Sequence, residues 1–465
     1  MKNIFFVCMA SMTLGLWAVD PSITDVNVSY DENARAVEIT YTLEDAPAIV
    51  TLDILTNGVS VAVPGGAFDY ISGDVHHAVA AGERTIRWAV GKALPEADIP
   101  SLNVTAEVFA WRLDEPPDYL VVDLASSNSV EYVADTNHFM HGGVDGALMR
   151  TRYMPMRLIP AAGQTFTLGR DLASDTLSHT PSEAERTVTF PSDGNFYMAI
   201  FELTNGQMYF ASGIWTYGIY RLNNEEIAYR PVSSLNRVQF WLNGGNSTNA
   251  TVIVDAYPNG PRAGTQFWNM RSDAGLPFML PSEAQWEFAA CGGSDSAHWG
   301  DASIPMPADV SGANSVMDRL GLYDGNRDKS TGGHWNYDYV GPGVGSQCVG
   351  KYAPNGYGLY DMFGNNAEHC QDNWYKDPSL VPSDGSPYVR TYAGGTPDMS
   401  SVVKGGSLIE IAGRCRTTSR AYLTNVSSGT KYFPDQSIFE NENAGNNQAT
   451  TYRIILPMQL YGPQP

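Results

Sequence analysis

Residues 355–375 read NGYGLYDMFGNNAEHCQDNWY, an irregular, glycine-rich run that carries carboxylates at Asp361 and Glu368. Long segments rich in Gly, Asn, Asp, Tyr and Trp recur nearby, as in Ala313 to Gly350. Loops of that kind belong to a compact domain only when something pins them. Two pins are available, aromatic packing and a bound hard cation. Calcium takes about 6–8 oxygens from carboxylates, amides and backbone carbonyls, and a glycine such as Gly364 turns a carbonyl inward without steric cost.

The N-terminal part of the chain has a different pattern. Residues 20–123 contain short alternating runs, VNVSY, AVEITYTL, AIVTLDIL, RTIRWAV and NVTAEVFAW, punctuated by Asn57-Gly58, Gly65-Gly66 and AAGE. Period-two alternation between tight turns predicts antiparallel strands, and the length suits an immunoglobulin-like β-sandwich of roughly 100 residues. His76-His77 is read as a loop or surface pair rather than a metal site, because adjacent strand residues point to opposite faces. The acidic, serine-rich stretch 124–148 reads as a linker, and a second domain is expected over 149–465. The predicted class is α+β and loop-rich.

With 50 acidic against 28 basic residues and a net charge of -22, the chain is not a general nucleic-acid binder, which needs clustered positive charge. Residues 1–18 combine Lys2, an apolar run from Ile4 to Trp17 and the small Ala18, the pattern of a secretory signal peptide rather than a membrane span. No later segment reaches about 18 consecutive apolar residues, so no transmembrane segment is expected. The destination is secreted, periplasmic or cell-envelope. Cys8 leaves with the leader. Cys291, Cys348, Cys370 and Cys415 remain, and their spacing fixes no pairing and fits no zinc site.

Few helices are expected. SEAQWEFAA opens with Ser282 and Gln285 in capping-box spacing, with Ala284 and Phe288 on one face and Trp286 and Ala290 on another. SLNRVQFWL (Ser234 to Leu242) is a second candidate.

Four ordered segments carry a resemblance: LPSEAQWEFAACGG (280–293), NGYGLYDMFGNNAEHCQDNWY, VVKGGSLIEIAGRCRTTSRAYL (402–423) and TYRIILP (451–457). Together with FYMAIFELTNGQMYF and weaker upstream matches they cover about two thirds of the chain. In order and spacing they resemble the formylglycine-generating enzyme and sulfatase-modifying-factor family. The resemblance implies a C-type-lectin-like core and, at Asp361, Gly364, Asn366 and Glu368, one calcium site. A second implied ion falls on Asn314 and Ser315 with Asp324 or Asp328. It also implies two copper-binding cysteines three and eight residues past the serine of GGS. Counting from Ser407 gives Glu410 and Cys415, so the first thiol is absent. Cys415 is the one catalytic candidate, and Cu(I) is not expected, because a carboxylate is a hard ligand and Cu(I) is soft.

Other chemistry finds no support. Ser407 lacks a nucleophile elbow, the histidines at 138, 141, 179, 298, 334 and 369 are scattered, and GGVDG and GPGVG are not phosphate loops. Trp215, Tyr217, Tyr220, Trp299, Trp335, Tyr337 and Tyr339 could line a loop pocket for sugar or peptide. The resulting expectation is an exported, calcium-stabilised binding module for a protein, peptide or glycan partner. A formylglycine-generating oxidoreductase, with its cysteine pair formed by Cys415 and Cys370 or Cys348, is the alternative.

Overall fold

In the N-terminal unit the alternating runs form two antiparallel sheets. The strand Ala36–Glu44 buries Val37, Ile39, Tyr41 and Leu43 and turns Glu38 and Glu44 outward. It lies between Ser22–Asp31 and Gly82–Trp88, with Ile71–Gly73 at the far edge. The second sheet centres on Ala48–Thr56, flanked by Val104–Trp111, Val59–Ser60 and Ala78–Val79. Asn57 (φ 52°) and Gly58 (φ 78°) make the tight turn of one hairpin, left-handed positions that Asn and Gly tolerate best. The inner faces of the two sheets share one apolar core.

The structure, a computed structural model, describes residues 20–45, 47–63, 66–171, 181–212, 225–232, 265–294, 299, 314–327, 346–389, 401–423, 431–432 and 450–458. The expected leader (1–18) and the expected helix at 234–242 lie outside these. No helix among the described residues is long and apolar enough to cross a membrane.

The rest of the chain is mixed α/β, mostly strands and loops. One five-stranded antiparallel sheet runs Val130–Val133, Tyr119–Asp123, Tyr153–Ile159, Phe196–Ala199, Ile455–Pro457. A second runs Lys431–Tyr432, Ala421–Leu423, Ser401–Lys404, Ala367–Asn373, Thr450–Thr451, its last pair parallel. The segment 450–457 enters both sheets, so its Arg453 lies between them. Helices Asn205–Ser212, Gln266–Ala274 and Glu283–Ala290 pack on these layers.

The expected linker is corrected here. Within 124–148, Val130–Val133 forms a strand, and the Asn128 amide donates to Ala274 O at 2.7 Å at the end of a helix. Tyr119–Asp123, assigned to the first domain from sequence, pairs with Tyr153–Arg157 of the second. Four residues are too few to read as a strand from sequence without the partner strand beside them. The two units also interlock. Ile49 of the first joins the core around Leu120, Tyr132 and Phe278, and Met140 joins the core of the N-terminal unit.

Candidate functional site

The helix Glu283–Ala290 organises the site. Ser282 Oγ accepts from the Gln285 amide at 3.1 Å and Gln285 Oε1 from the Ser282 amide at 2.9 Å, the capping box read from sequence. Its buried surface is not simply apolar. Glu283 and Glu287 are buried beside Trp286. Glu283 meets Arg420, whose Nη2 donates to Oε2 at 2.9 Å, and Glu287 meets Lys404 Nζ at 2.8 Å. Trp286 Nε1 donates to Glu368 Oε2 at 2.7 Å, tying this helix to the glycine-rich run.

That run turns through left-handed backbone at Asp361 (φ 56°), Gly364 (φ 92°) and Asn365 (φ 56°). A Cβ on Gly364 would lie 2.2 Å from Leu322 O, so only glycine fits. Asp361 Oδ2 accepts from the Gly350 amide at 2.7 Å; its Oδ1 is buried with no hydrogen-bond partner among the described residues. Asn366 Oδ1 accepts from Ser346 Oγ at 2.6 Å. Glu368, also buried, is held by the Arg453 guanidinium through Nε at 2.9 Å and Nη2 at 2.6 Å.

Glu202 completes the cluster, accepting from the Asn366 amide at 3.0 Å and Asn365 Nδ2 at 2.5 Å. Burial, followed by the charges of Asp361 and Glu368, pushes its carboxyl well up. Burial also raises Asp361 to about 6, although the Gly350 amide and Arg453 pull it down. Glu202, Asp361 and Glu368 are thus three acidic groups gathered around the Arg453 guanidinium, with Arg150 also acting on Asp361. Such an acidic excess is relieved by protons or by a bound cation.

The donor set tests the calcium expectation. Asp361 fits, with an uncommitted buried oxygen. Glu368 is already paired with Arg453, so calcium would share rather than own it, and Gly364 and Asn366 would contribute carbonyls only. Among the described residues no three His, Cys, Asp or Glu side chains converge as a metal-binding group.

The second expected ion does not fit. Asn314 Oδ1 accepts from the Val316 and Met317 amides at 3.0 and 3.1 Å, ahead of the short helix Met317–Leu320. Asp324 Oδ1 pairs with Arg327 Nε at 2.6 Å, and Ser315 is exposed. Asp328 lies outside the described residues. Asn and Asp bonding their own neighbourhood is the ordinary behaviour of such a turn.

At the GGS turn, Gly405 and Gly406 have φ of 85° and 70°. Ser407 Oγ donates to the Glu410 carboxylate, and both are buried. Cys415 is buried too, its Sγ 3.9 Å from Ser407 O, and a Cβ on Gly406 would approach that sulfur to 2.7 Å. The structure therefore brings Ser407, Glu410 and Cys415 together, with a carboxylate where the resemblance expects a thiol. Burial pushes the Cys370 thiol well up, which opposes the thiolate a metal or nucleophilic role needs. Among the described residues no disulfide joins Cys291, Cys348, Cys370 and Cys415.

Of the proposed aromatic pocket, only Trp299 is described. It is buried, donating from Nε1 to Cys415 O at 2.9 Å, so it is core and not pocket lining. The other six lie outside the described residues.

Sequence reasoning missed Glu202, Glu283, Glu287, Lys404, Arg420 and Arg453 as members of the site. The one available signal was charge inside apolar runs, Glu202 in FYMAIFEL and Arg453 in TYRIILP.

Residues 150–432 match the sulfatase-modifying factor enzyme 1-like domain. The chain is 33% identical over 155 residues to a formylglycine-generating enzyme of Thermomonospora curvata, covering 32% of this chain and 45% of that protein. It is 32% identical over 131 residues to one of Mycobacterium tuberculosis, covering 28% and 39%. The matches therefore span less than half the length of those relatives. Among solved structures, Treponema denticola variable protein 1 overlaps 66% of this chain and 95% of its own at 19% identity, with a TM-score of 0.39. PvdO from Pseudomonas aeruginosa overlaps 65% and 94% at 21% identity, also with a TM-score of 0.39.

Proposed function

The chain belongs to the sulfatase-modifying factor enzyme 1-like domain family, and from that premise we propose that it is a divergent member acting as a binding module rather than an oxidase. The observation that carries this is Glu410. It stands where the family's chemistry needs a first thiol, and it is buried and engaged by Ser407 Oγ. A carboxylate cannot replace a thiolate toward soft Cu(I), so Glu410 and Cys415 do not make the two-thiolate site that chemistry requires. The partner bound is a protein, peptide or glycan, met by the loops of a C-type-lectin-like domain. An immunoglobulin-like N-terminal sandwich and export by the leader at 1–18 belong to the same reading.

The test is direct. Purified protein, incubated with copper, oxygen and a cysteine-containing sulfatase peptide, is expected to leave the peptide mass unchanged by mass spectrometry. Loss of mass through conversion to formylglycine would establish the oxidase instead.

Calcium is part of the proposal, held by Asp361 with Glu368 and the carbonyls of Gly364 and Asn366. It would supply positive charge to a buried acidic cluster. A ligand at about a hundredfold excess over its Kd stabilises a fold by about 2.7 kcal/mol. Chelation should therefore lower the melting temperature by a few degrees, and Asp361→Ala should remove that response. An identical melting curve with chelator and with calcium would sink the assignment.

A further inference from the structure

We propose that His76 makes the joint between the N-terminal sheets and the five-stranded sheet acid-labile. His76 is 3% exposed and sits in left-handed backbone at φ 63°. The surface reading of the His76-His77 pair therefore holds only for the exposed His77. The His76 backbone bridges the two units. Its amide donates to Val50 O at 2.7 Å in the N-terminal sheet, and its carbonyl accepts from the Tyr132 amide at 2.7 Å in the strand Val130–Val133.

The ring makes the same connection. Nδ1 lies 3.0 Å from Tyr132 O. A carbonyl oxygen only accepts, so Nδ1 carries the proton and Nε2 is a bare lone pair. That Nε2 is buried and has no hydrogen-bond partner among the described residues. Phe68 packs edge-on against the ring at 6.0 Å and against His138 at 5.0 Å, so the surroundings are aromatic as well as dry. A second proton would place a charge there with no acceptor to receive it.

The facing charges set the sign. Burial lowers the His76 imidazole from its ordinary 6.5, with His138 and His77 acting in the same direction and the Tyr132 carbonyl and Glu131 opposing. An opened joint returns His76 to the ordinary value. The closed joint is therefore favoured above about 6.5 and loses that preference as pH falls below it. His138 faces the same joint, 3.5 Å from Asp53 of the N-terminal sheet and 3.0 Å from Asp135. His141 adds little on acidification. Although burial opposes it, Glu131 at 3.2 Å holds its imidazole above the usual range, so its charge is present first.

Amide hydrogen exchange on the full chain tests this. With intrinsic rates removed, protection of the Tyr132 and His76 amides should fall between pH 6.5 and 5 by up to about tenfold per pH unit, the limit for one proton. Asn tolerates left-handed backbone and keeps an amide N–H near the Nδ1 position, so His76→Asn should abolish the fall. No fall in the wild type, or an equal fall in His76→Asn, would overturn the proposal.

Discussion

Replacing Arg453 with Met is expected to cost about 3–5 kcal/mol of stability, because removing one partner of a buried ion pair leaves an uncompensated charge. Arg453 is fully buried. Its Nε and Nη2 hold Glu368, its Nη1 donates to Ala199 O and Ile200 O at 2.9 Å each, and its Nη2 also reaches Tyr360 O at 2.7 Å. One guanidinium thus joins the strand Phe196–Ala199, the glycine-rich run and the strand Ala367–Asn373. Met conserves much of the apolar stem, so the loss reports the charge and its hydrogen bonds rather than a cavity. Urea unfolding checks it through a lower midpoint at an unchanged slope. Adding Glu368→Gln should return part of the loss, a coupling that a double-mutant cycle measures. A change below about 1 kcal/mol, the value of an exposed pair, would mean that the pair is not buried in solution.

The contrast between what the sequence disclosed and what it hid follows from the range of the interactions. Local devices were legible. The alternation of AVEITYTL gave the strand Ala36–Glu44, Asn57-Gly58 gave the turn between Ala48–Thr56 and Val59–Ser60, and Ser282 with Gln285 gave the cap of Glu283–Ala290. Each depends on residues a few positions apart, where spacing fixes geometry. The buried charge network was not legible, since Glu283 meets Arg420 across 137 positions and Glu368 meets Arg453 across 85. No local period encodes such a pairing.

The linker error has the same origin. Val130–Val133 is short and has Glu131 in its middle, so it reads as a strand only once Tyr119–Asp123 is beside it. At the GGS turn, counting alone placed Glu410 and Cys415. The hydrogen bond from Ser407, which removes Glu410 from ligand service, could not be seen without the fold. Asp361 and Glu368 were singled out together, and the fold separates their roles. Asp361 keeps an uncommitted oxygen, whereas Glu368 is already the partner of Arg453.

Arg420→Met is expected to be comparably costly at neutral pH, about 3–5 kcal/mol, but with a pH dependence that identifies its cause. Arg420 and Glu283 are both buried, and Lys404 Nζ and Arg186 Nη2 each lie 3.8 Å from the same carboxylate. Burial alone would raise the Glu283 carboxyl, yet the charges of Arg420, Lys404 and Arg186 outweigh it and hold the group at about 2, below its ordinary 4.5. A carboxylate depressed in the folded state contributes stability that is present above its unfolded value and lost as pH falls through the folded one. In the wild type that loss runs from about 4.5 down to about 2. Without Arg420 the carboxyl takes up its proton at higher pH, so the variant has less left to lose. The stability gap between wild type and Arg420→Met should therefore be widest near pH 7 and narrow steadily below 4.5, as urea midpoints at several pH values would record. A gap constant with pH would assign the loss to packing of Arg420 over the Trp374 and Tyr375 rings, which its guanidinium covers at 4.7 and 4.3 Å, rather than to its charge.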